Sequence, residues 1–179
     1  MRPVNLGGFQ QYSGDIVQLS WDDVMEICRE IALAVKNDFD PNLIVGIAKG
    51  GVIPAAIISS MLRVEFYPVR LSRRQQDVVV WDRPRILVPM PDEVKGKRVL
   101  IVDEAASSGE TLRLAVGEAK KRGVRRVKTA SLYVKTHAQR PNWYAFDNDG
   151  TVILPWDFEI IEDGRFVIHP EYEESLNQK

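Results

Sequence analysis

Cysteine is almost missing from this chain: Cys28 is the only one in 179 residues. No internal disulfide is possible. Cys28 falls on the apolar side of an expected helix and reads as a small buried hydrophobe rather than a nucleophile. Histidine is scarce as well. His137 and His169 stand apart, lack metal-ligand spacing, and read as surface residues. Neither sign of charge is in excess, with a formal net charge of −1 and a pI near 6.2. Chains that live on nucleic acid usually carry a basic surplus, so no nucleic-acid partner is expected. Long apolar runs are absent too: none approaches the roughly 20 residues that span a bilayer. Met1 to Asn5 has no apolar signal-like stretch. A cytoplasmic location without membrane contact is the expectation. What is present is ordinary for a globular protein: 45% hydrophobic and 27% charged residues. The length fits one domain over 1–179, with a core near 41–135 and an arm and hood near 1–19 and 136–179.

Periodicity orders the elements. Residues 1–19 are mixed and read as an irregular arm. Ser20 caps a helix whose first turn holds Asp22 and Asp23. Val24, Ile27, Ile31 and Val35 follow at helical spacing. Leu43 to Ile47 is a continuous apolar run, as in the middle of a parallel sheet. Ala48-Lys49-Gly50-Gly51 is a turn, and Val52 to Leu62 a helix. Val64 to Arg70 is a second strand. Ser72 to Asp92 is polar, arginine-rich and proline-rich, and reads as a flap over a site. Val78–Val80 and Ile86–Val88 are expected to pair as a ribbon inside it. Lys97 to Asp103 is the strongest buried strand. A Ser/Gly turn and a helix from about Gly109 to Arg122 follow, then strands at Val127–Val134, Trp143–Phe146 and Thr151–Leu154. The tail after Gly164 has no clear pattern. Strand and helix alternate, so the expected fold is α/β: a twisted parallel sheet of four or five strands with helices on both faces and a small hood.

The segment Asp103-Glu104-Ala105-Ala106-Ser107-Ser108-Gly109-Glu110-Thr111 carries the most chemistry. A helix start presents unpaired amide donors and partial positive charge, which suit phosphate. Gly109 lets backbone approach a ligand. Ser107, Ser108 and Thr111 add hydroxyls. Asp103 and Glu104 cannot hold phosphate, but they accept bonds from sugar hydroxyls or hold a hydrated magnesium ion. Phosphate on one side and a diol on the other describe a ribose 5-phosphate.

Val99 to Leu112 resembles the PRPP-binding signature of type I phosphoribosyltransferases, nearest to the bacterial and archaeal purine (xanthine-guanine and hypoxanthine) enzymes. The resemblance runs from about residue 41 to 159. It implies transfer of a 5-phosphoribosyl group from PRPP to a nitrogenous base, a 6-oxopurine first, with Mg2+ and release of pyrophosphate. By the same resemblance, Asp103 and Glu104 are the catalytic pair on the ribose hydroxyls. Ala106, Ser107, Ser108, Gly109, Glu110 and Thr111 hold the 5′-phosphate, and Ala48, Lys49, Gly50 and Gly51 the pyrophosphate. Lys135, Trp156 and Asp157 form the base site, and Ser72, Arg73 and Arg74 belong to the flap. Magnesium falls to Asp103 and Glu104, through water, and to Asp157. Relatives are commonly dimers or tetramers, so a homo-oligomer is expected.

Two positions depart from the purine pattern. Ser107 stands where such enzymes usually carry an aspartate credited with the proton on the base N7, and a serine hydroxyl has no useful basicity near neutral pH. Thr151 stands where they place a base-stacking aromatic, a loss of about 1–3 kcal/mol. Trp143 and Tyr144 are candidate substitutes. The alternatives are a regulatory module that senses PRPP or a nucleotide without turnover, and a transferase for a different base.

Overall fold

Ser20 starts the first helix through a reciprocal cap. Its Oγ accepts from the Asp23 amide at 3.2 Å, and the Asp23 carboxylate accepts from the Ser20 amide at 2.7 Å. Tyr12 Oη donates to the same carboxylate at 2.6 Å, tying the N-terminal segment to the helix. The computed structural model describes residues 4, 5, 8, 9, 11, 12, 14–75 and 78–177.

In chain order the elements are β1 (Val4–Asn5), β2 (Ile16–Gln18), α1 (Trp21–Asp38), β3 (Leu43–Ala48), α2 (Val52–Leu62), β4 (Glu65–Ser72), β5 (Arg74–Gln75), β6 (Val78–Val79) and β7 (Arg85–Val88). A 3-10 turn (Asp92–Val94) leads to β8 (Arg98–Ala106), α3 (Glu110–Lys121), β9 (Arg126–Val134), β10 (Trp143–Asp147), β11 (Thr151–Ile153), β12 (Glu159–Glu162), β13 (Arg165–Ile168) and α4 (Pro170–Leu176).

The main sheet has seven strands in the order β1-β10-β9-β8-β3-β4-β7. Every neighbouring pair is parallel except β4 with β7. Helices cover both faces, as the alternation along β8 requires. Leu100 and Val102 pack with Val24, Ile27 and Ile31 of α1 and Ala55 and Ile58 of α2. Val99 and Ile101 pack on the other face with Leu112, Ala115 and Ala119 of α3. All four strand residues are fully buried. Each such side chain contributes about 1.5–3 kcal/mol of burial. Cys28 is buried in the α1 layer, as expected.

Four expectations are corrected. The sheet has seven strands because short segments join both edges: Val4–Asn5 beside β10, and Arg85–Val88 antiparallel to β4. A two-residue strand such as Val4–Asn5 leaves no periodicity to read. The N-terminal arm is partly ordered, for β2 pairs with β11, and Phe9, Val17 and Leu19 enter the core. In the flap, β6 pairs with β5, not with the 86–88 run, which joins the main sheet instead. The tail after Gly164 is ordered too: it holds β13, which closes a hairpin with β12, and then α4. Among the described residues, no helix is long and apolar enough to cross a membrane.

Candidate active site

The carboxyl ends of β3, β4, β8 and β9 open into a cleft of about 820 Å³. Strand β8 runs three residues past Asp103 before it turns, so both acids lie within the strand rather than at its end. Asp103 and Glu104 both line the cleft. The Asp103 carboxylate also accepts from the Glu104 amide at 2.9 Å. Burial, and then the neighbouring Glu104 charge, push the Asp103 carboxyl well above its ordinary range. Burial, and then the Asp157 charge, push Glu104 up to about 7. A hydrogen bond from Trp156 and the charges of Lys49 and Arg74 oppose that rise. Two crowded acids with raised proton affinity want hydroxyl donors or a cation.

The turn after β8 is held from the side. The Ala106 carbonyl accepts from the Lys135 amide at 3.0 Å, and the Ser108 carbonyl from the Gln139 amide at 3.1 Å. Gly109 takes φ +81°, and a Cβ on it would lie 2.5 Å from the Gln139 carbonyl oxygen. Glycine is therefore required twice, by the backbone region and by the close approach. Helix α3 then starts without a side chain capping it from Gly109. Ser108 Oγ does accept from the Glu110 amide at 3.3 Å. The remaining first-turn amides of a 12-residue helix offer an anion site. Ala106 to Thr111 all line the cleft.

A second turn, between β3 and α2, faces the acids. Its Ala48–Lys49 peptide is cis. Ala48, Lys49 and Gly50 line the cleft, whereas Gly51 is the N-cap of α2 and does not. A Cβ on Gly50 would lie 1.4 Å from Glu104 Oε2. The Glu104 carboxylate thus occupies the space that any other residue at position 50 would fill.

Ser72, Arg73 and Arg74 line the cleft from the flap side. Arg74 reaches Glu171 of α4 at 3.3 Å, with the side chains 48% and 61% exposed. So exposed a pair contributes about 0–1 kcal/mol. Glu171→Gln is accordingly expected to move the melting temperature by no more than about 3 °C. A larger drop in a thermal melt would mean that the pair fastens the flap.

Lys135 and Trp156 also line the cleft, with Asp157 at its exposed rim. Lys135 Nζ donates to the Gly150 carbonyl. Burial lowers its pKa against a smaller opposing pull from Asp149. Trp156 packs its ring 5.8 Å from that of Trp21. The structure therefore brings every expected site residue except Gly51 to one cleft. Neither proposed substitute for the aromatic at Thr151 reaches it: Trp143 is fully buried and Tyr144 nearly so, both in the core.

Among the cleft residues that escaped the sequence reading are Tyr133, His169, Glu171 and Tyr172. His169 corrects its assignment as a surface residue, since it is half-buried and caps α4. The His169-Pro170 pair followed by acids was the available signal, a cap with proline at the first helical position.

The model of the phosphoribosyl transferase domain matches residues 18–163. The chain belongs to the phosphoribosyl transferase domain family. Among solved structures, the purine phosphoribosyltransferase of Pyrococcus horikoshii Ot3 superposes with a TM-score of 0.71 at 30% identity, covering 84% of this chain and all of that one. The hypoxanthine-guanine phosphoribosyltransferase of Saccharomyces cerevisiae is 27% identical over 146 residues, 67% of this chain and 62% of the relative. The transcriptional regulator GfcR of Thermoplasma acidophilum is 32% identical over 88 residues, 49% of this chain and 41% of the regulator. This phosphoribosyl transferase domain protein thus spans less than two thirds of either curated relative.

Proposed function

We propose that this protein transfers a 5-phosphoribosyl group from PRPP to a ring nitrogen of a 6-oxopurine and releases pyrophosphate. One observation carries the reading. The acid pair of β8, the open amides of α3 and the Lys135 ammonium share a single cleft.

The residues divide the work. The first-turn amides of α3, with Ser107, Ser108 and Thr111, hold the 5′-phosphate. Asp103 and Glu104 accept hydrogen bonds from the ribose hydroxyls, and their charge steadies a sugar ring that turns cationic. The Ala48–Gly50 turn, with Lys49, takes the pyrophosphate. Lys135 donates to the oxo group of the base. As the base nitrogen bonds C1′, the bond from C1′ to the pyrophosphate oxygen breaks. The pyrophosphate keeps the electron pair, and the proton of the base nitrogen passes to that departing pyrophosphate. The flap residues Ser72, Arg73 and Arg74 exclude water from that centre.

Magnesium fits this donor set. Glu104 and Asp157 lie close enough for the second to raise the first, and both offer the hard oxygen ligands magnesium prefers. No cluster of three or more metal-ligating side chains gathers among the described residues. Most of the ion's oxygens would come from PRPP and water, and its contribution would be to neutralise the leaving pyrophosphate.

A second reading, a nucleotide sensor without turnover, is favoured by the 32% identity to a transcriptional regulator. Incubation with PRPP, magnesium and a panel of bases separates the two. Nucleotide formed from hypoxanthine, guanine or xanthine is expected. PRPP bound without any product would instead establish the sensor.

A further inference from the structure

Helix α4 lies beyond residue 163, outside the segment that the family model matches. It still builds part of the cleft, for His169 and Tyr172 both line it. Their rings sit 5.4 Å apart at 50°, a tilted aromatic pair. Three side-chain contacts join this helix to the rest of the cleft. Tyr172 Oη donates to Asp157 Oδ2 at 3.0 Å. Ser175 Oγ lies 3.1 Å from Thr151 Oγ1. Glu171 pairs with Arg74 of the flap.

The first two contacts place α4 at the Lys135 end of the cleft. Thr151 follows Gly150, whose carbonyl accepts from Lys135 Nζ. A threonine has no π face, and the Thr151 hydroxyl is already engaged by Ser175. His169 is held in one orientation, because its Nδ1 accepts from the Glu171 amide at 3.2 Å. Tyr172 is 8% exposed and is anchored through its hydroxyl. Rings fixed beforehand lose little freedom when a ligand packs on them.

We propose that α4 and its His169 cap form the aromatic wall of the base subsite, with the mutually tilted His169 and Tyr172 rings lining the side on which an oxo-substituted purine packs. This rests on the reading of the cleft as a phosphoribosyl-and-base site. It moves base affinity from β11, where Thr151 offers no stack, to a segment outside the family-matched residues.

The test titrates wild type, His169→Ala, Tyr172→Ala and Tyr172→Phe with inosine 5′-monophosphate and, separately, with ribose 5-phosphate. Melting temperatures are measured in parallel. His169→Ala and Tyr172→Ala are each expected to weaken the nucleotide about tenfold. Ribose 5-phosphate affinity should stay within about twofold in both. Tyr172→Phe keeps the ring and should hold nucleotide affinity within about threefold. Equal losses for both ligands would make α4 a structural prop and overturn the proposal, as would unchanged nucleotide binding. Should Tyr172→Ala fail to fold, His169→Ala decides alone, its melting temperature reporting the cost of the lost α4 cap and its ribose 5-phosphate affinity the integrity of the cleft. Wild-type protein that binds neither ligand would overturn the reading of the cleft itself. Wild type that binds both, with no effect of the α4 variants, would overturn only the wall.

Discussion

Glu104→Gln is expected to raise the melting temperature at pH 8 by about 5 °C or more while weakening a phosphoribosyl ligand at least tenfold. The stability half follows from linkage. The Glu104 carboxyl is raised from 4.5 to about 7 in the folded protein. Folding therefore favours its protonated form. That contribution is fully present below pH 4.5 and is lost as pH rises through 7. At 1.36 kcal/mol per pKa unit, the loss by pH 8 is on the order of 3 kcal/mol. Glutamine is neutral throughout and escapes the loss. It also relieves Asp103, which the Glu104 charge disfavours. For a protein of this size, each kcal/mol corresponds to about 2–4 °C. The difference between variant and wild type should shrink towards zero as pH falls below 4.5. Binding moves the other way. Charged acceptors on sugar hydroxyls contribute about 1.5–3 kcal/mol, so losing the charge costs roughly 10- to 100-fold. Thermal melts from pH 4 to 8 and calorimetric titration with PRPP and magnesium measure both. An unchanged melting temperature at pH 8 would mean that water reaches the carboxylate freely. Unchanged affinity would mean that the acid faces away from the ligand.

Gly109→Ala should cost both stability and phosphate binding. The residue holds φ +81°, which is unfavourable for any side chain. Its new Cβ would lie 2.5 Å from the Gln139 carbonyl oxygen and 2.8 Å from Gln139 Cβ. The obstacle is backbone, so the turn itself must move. A loss of about 2–4 kcal/mol is expected, or a fall in melting temperature of roughly 5–12 °C. Displacing the first amides of α3 should lower ribose 5-phosphate affinity more than tenfold, since the anion is held by their fixed directions. Gly117→Ala is the matched control. Gly117 sits inside α3, and a Cβ there meets nothing within 4 Å. That change should stabilise by about 0.5–1 kcal/mol and leave ligand affinity alone. Equal behaviour of the two alanines would show that the turn at 109 carries no special geometry.

Much of this protein was legible in its residues because the relevant forces are local or periodic. Ser20 with Asp23 announces a cap, and α1 begins where it says. The continuous apolar run at 99–102 predicts a strand buried on both faces, and β8 is one. The turn chemistry around Gly109 is local too, so the anion site was visible without coordinates. Tertiary structure alone decided the rest. It set Gly50 against Glu104, a contact between residues 54 positions apart that no window of sequence contains. It buried Trp143 and Tyr144 in the core, closing them to the cleft, because strand direction and not composition decides which face a ring takes. It folded a tail with no readable period back over the hood, so that Tyr172 met Asp157. Local propensity writes the elements and the anion turn. The partners of each side chain depend on long-range packing, where seven residues of helix derive their stability from what they touch rather than from their own sequence.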